Sequence, residues 1–321
     1  MYFANTLNKA LTLLSALLLS ISFWTVLHLP EINLLWVIFT FLTSAMLFDV
    51  PNHKKRFIFA LVMSAYAAAA QFLTGITWQT PFLRIVFQTL FAYFTLATLP
   101  DRQGASIVLL TGYLACFAPG GTMPALYRCI DFGLSVVFIL LATSLNSVIR
   151  IKPPEKNCFS TPCPAGEAFV VTVELAAGAI FAQLLNFSQS AWIMMTVVFI
   201  QMAVNARHPV KELALQRIFA IPAGILLCGL YLGTFCRLDY RFVYLLPFTG
   251  TAAFFVYYCT DNYFLFSLLF MFSITLSTDW LLGTYQRYHF TDIMLGRSFA
   301  TLAGAFLSIT GEFFLKQEKT V

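Results

Sequence analysis

The chain has 321 residues, 60% hydrophobic and only 10% charged, with a formal net charge of +5 and a mean hydropathy of +0.81. It cannot cover itself with polar surface, and apolar runs of membrane-spanning length recur from end to end, which excludes an ordinary water-soluble domain. An all-helical, multi-pass membrane protein is expected.

At the N-terminus, Lys9 ahead of the apolar run 11–29 has the charge order of a signal peptide. Pro30 and Glu31 follow directly with no small-residue cleavage site, and another apolar segment begins at Leu34, so the run is expected to remain as a first helix. Apolar runs read against breakers then give spans near 11–29, 34–50, 57–75, 83–99, 105–119 and 125–148. The second half gives 166–185, 191–206, 218–235, 242–259, 263–282 and 292–314. The runs 105–119 and 191–206 are short for a bilayer, leaving ten or eleven full spans open beside the full twelve. Six per half is the economical count, because an even number returns both halves to the same side.

The two halves read as tandem copies, 1–149 and 166–321, joined by a short proline-rich and basic linker over 150–165. Trp36 matches Trp192, Arg56 matches Arg217, Arg84 matches Arg241, Asp101 matches Asp261 and Asp131 matches Asp292, at offsets of 156, 161, 157, 160 and 161 residues. With the N-terminus in the cytoplasm, 13 of the 19 basic residues fall on the cytoplasmic side, and Arg84, Arg128, Arg237, Arg241, Arg287 and Arg297 on the outer half. Both termini are then cytoplasmic and the copies parallel, a plan on which many transporters are built.

No nucleotide-binding loop, dinucleotide fingerprint or soluble catalytic module is present, so an enzyme is not expected and any driving force must come from a gradient. Cys158 and Cys163 stand five apart in the linker without a neighbouring His, and His28, His53, His208 and His289 are scattered, so neither metal nor cofactor is expected. The other cysteines are most simply small apolar packers. Aromatics reach 17%, with 35 Phe, which suits lipid-facing surface and would also suit a route for aromatic solutes.

Charges inside apolar segments carry what remains, since each costs at least about 2.5 kcal/mol in hydrocarbon and must face protein, water or the interface. Glu174 lies about two turns into its span beside Ala176, Ala177 and Gly178, where it could carry a coupling proton, pair with an arginine or snorkel to the cytoplasm. Asp131 and Asp292 open the last span of each copy, as helix caps or as further proton carriers. Arg297 stands within DIMLGRSFATLAGAF, a turn or more below the interface, where a permanent cation needs a carboxylate, carbonyls, water or an anionic substrate. Arg56 and Arg217 each open the third span of their copy, either through the positive-inside rule or as forks that bind a carboxylate.

AWIMMTVVFIQ, then the loop 207–217, then RIFAIPAGILL, and RSFATLAG near the C-terminus together resemble the fusaric acid resistance and aromatic acid exporter superfamily. Its recurring element is an Arg opening a small-residue helix, followed by Thr and Gly. Arg297, Thr301 and Gly304 fit it, Arg217 with Gly224 fits loosely across Pro222, and Arg56 keeps only the Arg. The resemblance implies a bacterial inner-membrane pump for aromatic or other organic acids, in some members working with a periplasmic adaptor protein. Many longer relatives carry a sizeable soluble region between or after the membrane halves, and between its halves this sequence has only the short linker 150–165.

The expected function is export of small organic anions, aromatic carboxylates foremost, with Arg56, Arg217, Arg297 and Thr301 binding substrate and Glu174, Asp131 and Asp292 carrying protons. A membrane scaffold or accessory subunit, its arginines holding lipid headgroups or a partner, is the alternative. Expected partners are a small organic anion, membrane lipids, the adaptor and a second copy of the chain, and no nucleic acid.

Overall fold

A computed structural model of the chain describes residues 2–27, 53–99, 102–114, 122–148, 163–185, 189–204, 208–235, 245–259, 262–276 and 290–318. Among the described residues the structure is helical, with no strand. The elements are α1 (Tyr2–Leu27), α2 (His53–Ile76), α3 (Pro81–Thr98), α4 (Arg102–Leu114), α5 (Thr122–Val148), α6 (Ala165–Leu185), α7 (Trp192–Ala203), α8 (Val210–Phe235), α9 (Leu245–Cys259), α10 (Tyr263–Thr275) and α11 (Phe290–Glu318). The expected span 34–50 lies outside the described residues, as does the linker up to residue 162.

Local chemistry accounts for several helix starts. Pro81 occupies the first turn of α3, where its missing N–H costs nothing. The Asn262 side chain caps α10 by accepting from the Leu265 N–H at 2.9 Å. At α8 the Pro209 carbonyl takes the Glu212 and Leu213 amides, and Glu212 places a carboxylate at the positive end of the helix. α8 then runs on through Pro222.

Among the described residues, five helical stretches are long and apolar enough to cross a membrane: Phe57–Ile76, Pro81–Thr98, Ala165–Leu185, Val210–Tyr231 and Asp292–Leu315. Their surface chemistry fits lipid. Along α11 the outward stripe is Leu295, Phe299, Leu302, Phe306 and Phe313, while Arg297, Thr301, Gly304, Ser308 and Gly311 turn inward. α6 repeats the inversion, exposing Phe169, Val173, Ile180 and Leu184 and burying Thr172, Glu174 and Gly178. Water would reverse both patterns. α4, α7 and α10 have 13, 12 and 13 residues, about 18–20 Å of helix, short of a hydrocarbon core of about 30 Å.

The chain divides into two compact units. Unit 1 contains 1–64, 130–158 and 220–294, and unit 2 contains 65–129, 159–219 and 295–321. Four of the five boundaries fall inside α2, α5, α8 and α11, and the fifth, between 158 and 159, falls in the linker. In unit 1, α9 packs on α10 and on α1; in unit 2, α3 packs on α4 and α6, and α7 packs on α4 and α6.

Polarity separates the units. Among the described residues of unit 1, the buried serine, threonine, amide and charged side chains are hydroxyls alone, Thr12, Ser20, Ser135, Ser267, Ser273 and Thr275. All the buried amides, guanidiniums and carboxylates among the described residues belong to unit 2: Gln71, Gln189, Gln201, Arg128, Arg217, Arg297 and Glu174. A bilayer-type interior tolerates hydroxyls cheaply, because each can bond a carbonyl one turn back, as Thr74 and Thr172 do. Guanidiniums and carboxylates have no such local solution, so their concentration in unit 2 marks the place to examine for function.

Candidate functional site

The centre of unit 2 is α7, buried at every residue from Ala191 to Gln201. A helix apolar on all sides must be enclosed on all sides, and α4 and α6 supply two of its walls. The start of α7 is organised by Gln189. Its backbone carbonyl accepts the Trp192 N–H at 3.0 Å, and its side-chain Oε1 accepts the Trp192 indole N–H at 3.0 Å.

The same Gln189 oxygen also accepts from Arg297 Nε at 2.9 Å. The Arg297 guanidinium lies 5.0 Å from the Trp192 ring centroid, close enough for cation–π attraction of roughly 0.5–2 kcal/mol. One buried amide oxygen thus holds the indole and the cation together. Two turns along the same face of α7, the Arg217 guanidinium stands 4.3 Å from the Phe199 centroid. Both arginines are almost fully buried, at 2% and 0% exposure. Trp192, Thr196 and Phe199 share that face, so the two cations meet α7 at points about 10 Å apart along its axis.

Glycine lets α11 come this close. A Cβ at Gly304 would fall 2.5 Å from the Ile193 carbonyl oxygen and 2.7 Å from Thr196 Cβ, so the α11 backbone rests directly on the Thr196 turn. The Thr301 hydroxyl donates to the Arg297 carbonyl at 2.8 Å, and is thereby engaged within its own helix.

Glu174 forms a second polar point, on the side of α7 that faces α6. Gln201 Nε2 donates to Glu174 Oε2 at 3.1 Å, and the Glu174 carboxylate presses on α11 at Gly311, where a Cβ would come within 2.6 Å of Glu174 Cδ. This carboxylate therefore touches α7 and α11 from α6.

Of the residues expected from sequence, Arg217, Arg297, Thr301 and Glu174 are buried in unit 2 around α7. Asp292 is exposed in the first turn of α11. The side chains of Arg56 and Asp131 lie outside the described residues. Sequence reasoning missed Gln189, Gln201, Phe199 and Gly311. An amide within an apolar run, as Gln201 is within AWIMMTVVFIQ, was the available signal for one of them. Arg128, expected on the outer half, is buried at 3% exposure.

Among the described residues no group of His, Cys, Asp and Glu is placed to hold a metal ion. Fold and site define an all-helical bundle of membrane type with three buried guanidiniums and one buried carboxylate among the described residues of unit 2. Comparisons of the chain with protein-family models, with curated proteins and with solved structures find no match.

Proposed function

We propose that this protein is an inner-membrane transporter that exports small organic anions, aromatic carboxylates foremost, and that it belongs with the fusaric acid resistance and aromatic acid exporters. The observation that carries the reading is the pair of buried guanidiniums, Arg217 and Arg297, spaced two turns apart on one face of α7. A guanidinium is weakly hydrated and presents a planar fork to a carboxylate, so two along one helix offer an organic acid successive stops. Trp192 and Phe199 place aromatic faces at both stops. Glu174 carries the coupling proton, with Asp131 and Asp292 as the alternative carriers.

Five helices long and apolar enough to cross a membrane support a multi-pass membrane protein, and the 13-of-19 distribution of basic residues supports both termini in the cytoplasm, with two parallel repeats of about six spans each as the proposed plan. The Arg297, Thr301 and Gly304 spacing supports the family placement, because Arg297 and Gly304 meet the start and the Thr196 turn of α7 while Thr301 lies buried between them, bonded within α11. A periplasmic adaptor and a second copy of the chain are the macromolecular partners of this reading.

The test is flux in proteoliposomes with a panel of aromatic acids, with and without a pH gradient. Expected is flux that the gradient drives uphill and that Arg297→Ala abolishes. A second reading, a non-transporting scaffold or accessory subunit, is favoured by the tightness of the α7–α11 contact at Gly304. No flux of any acid across the panel would select it.

A further inference from the structure

The helix boundaries repeat along the chain. α2, α3, α4 and α5 begin at residues 53, 81, 102 and 122, and α8, α9, α10 and α11 begin at 210, 245, 263 and 290, each 157 to 168 residues further on. α6 begins at 165, 163 residues after α1 at 2. Packing repeats in the same correspondence. α3 packs on α4 and on α6 in unit 2, while their counterparts α9, α10 and α1 make the same two pairings in unit 1.

The pairing of α3 with α6 joins the first half of the chain to the second. So does the pairing of α9 with α1. The unit boundaries say the same independently: those after Ser64 and Phe219 are 155 residues apart, and those after Cys129 and Met294 are 165 apart. Unit 1 thus takes the opening and closing segments of the first half and the middle of the second. Unit 2 takes the opening and closing segments of the second half and the middle of the first.

We propose that the two halves have exchanged their middle helices, so that each compact unit is completed by the other half and the buried site around α7 is a shared one. Every polar residue of that site lies between 174 and 301, yet α7 is covered by α4 from the first half, itself buried from Gly104 to Tyr113. The second half alone would leave one wall of a fully buried helix open and α6 without its α3 partner. The face each half presents therefore fits one partner, a chain segment of the same kind as its own missing middle. The proposal builds on the repeat reading given above, but needs no anion transport.

The test uses the full chain, freed of native cysteines, with a protease site inserted between Lys152 and Lys156. Arg84 Nη2 donates to Gln183 Oε1 at 3.3 Å across the α3–α6 pairing, so Arg84→Cys with Gln183→Cys places two thiols within reach of a short bifunctional reagent. After cleavage in mild detergent, the reagent is expected to hold the halves together on a denaturing gel, as a single band of full-chain mass. Tyr66→Cys with Thr98→Cys, a pair within one half bonded at 2.9 Å in the native chain, should react without joining them.

Separate halves after Arg84→Cys/Gln183→Cys treatment, with the Tyr66/Thr98 control reacting, would overturn the exchange. Joining at twice the chain mass would overturn it too, by placing the exchange between chains. Because the gel reads architecture without any flux, failure here leaves anion export to the liposome assay, and failed flux leaves the exchange standing.

Discussion

Gly304→Ala is the most direct probe of how α11 is seated on the site. The added Cβ would lie 2.5 Å from the Ile193 carbonyl oxygen and 2.7 Å from Thr196 Cβ. Neither neighbour can swing away, since one is helix backbone and the other is fixed to it. To restore an ordinary carbon–oxygen separation of about 3.3 Å, α11 must retreat from α7 by about 0.8 Å. Arg297 is two turns away on the same face of α11, and a shift of that size would take its 2.9 Å bond to Gln189 beyond the good hydrogen-bond range. Overpacking of this kind costs about 1–3 kcal/mol, against a gain of about 0.5–1 kcal/mol for Ala over Gly in a helix. The net expectation is destabilisation centred near about 1 kcal/mol and at most about 2.5 kcal/mol, roughly a 5-fold shift in the unfolding equilibrium at the centre of that range. Denaturant unfolding in mild detergent measures it. Gly133→Ala and Gly233→Ala serve as controls, because nothing lies within 4 Å of a Cβ at either position, and both should be neutral or slightly stabilising. A Gly304→Ala protein as stable as these controls would refute the close approach of α11 to α7.

Arg297→Ala should lose flux or fold, because it removes the cation shared by Gln189 and Trp192, and Arg297→Lys should recover only part of it, lacking the planar fork; normal flux and yield in the Ala protein would show the side chain to be dispensable. Glu174→Gln keeps an acceptor oxygen for Gln201 and should fold and exchange substrate, yet lose transport driven by a pH gradient; uphill transport at the wild-type level would make Glu174 structural. Single cysteines placed at 54–56, in the first turn of α2, and at 208–212, where α8 begins, on a cysteine-free background, should resist an impermeant thiol reagent in intact cells and react in inverted vesicles. Labelling in intact cells would reverse the orientation.

Much of the chain's class was legible without any structure. Apolar content and run length are additive along the chain, so a lipid-compatible helical protein followed from composition alone, and α4 and α7 could be recognised as short from the runs that encode them. The ionisable residues worth following were legible for a related reason. Burial cost belongs to the side chain itself, so Arg297 and Glu174 stood out inside apolar sequence wherever the helices went. Helix pairing was not legible. Gln189 and Arg297 are separated by 108 residues and Glu174 and Gln201 by 27, and nothing in hydropathy periodicity says which faces meet. Gly311 read as one small residue among many until the Glu174 carboxylate was found against it. The concentration of buried charge in unit 2 among the described residues, and the packing of α3 on α6 and of α9 on α1, likewise depended on the fold. A sequence records what each side chain costs to bury, whereas the partner that offsets the cost is chosen by packing between segments far apart in the chain.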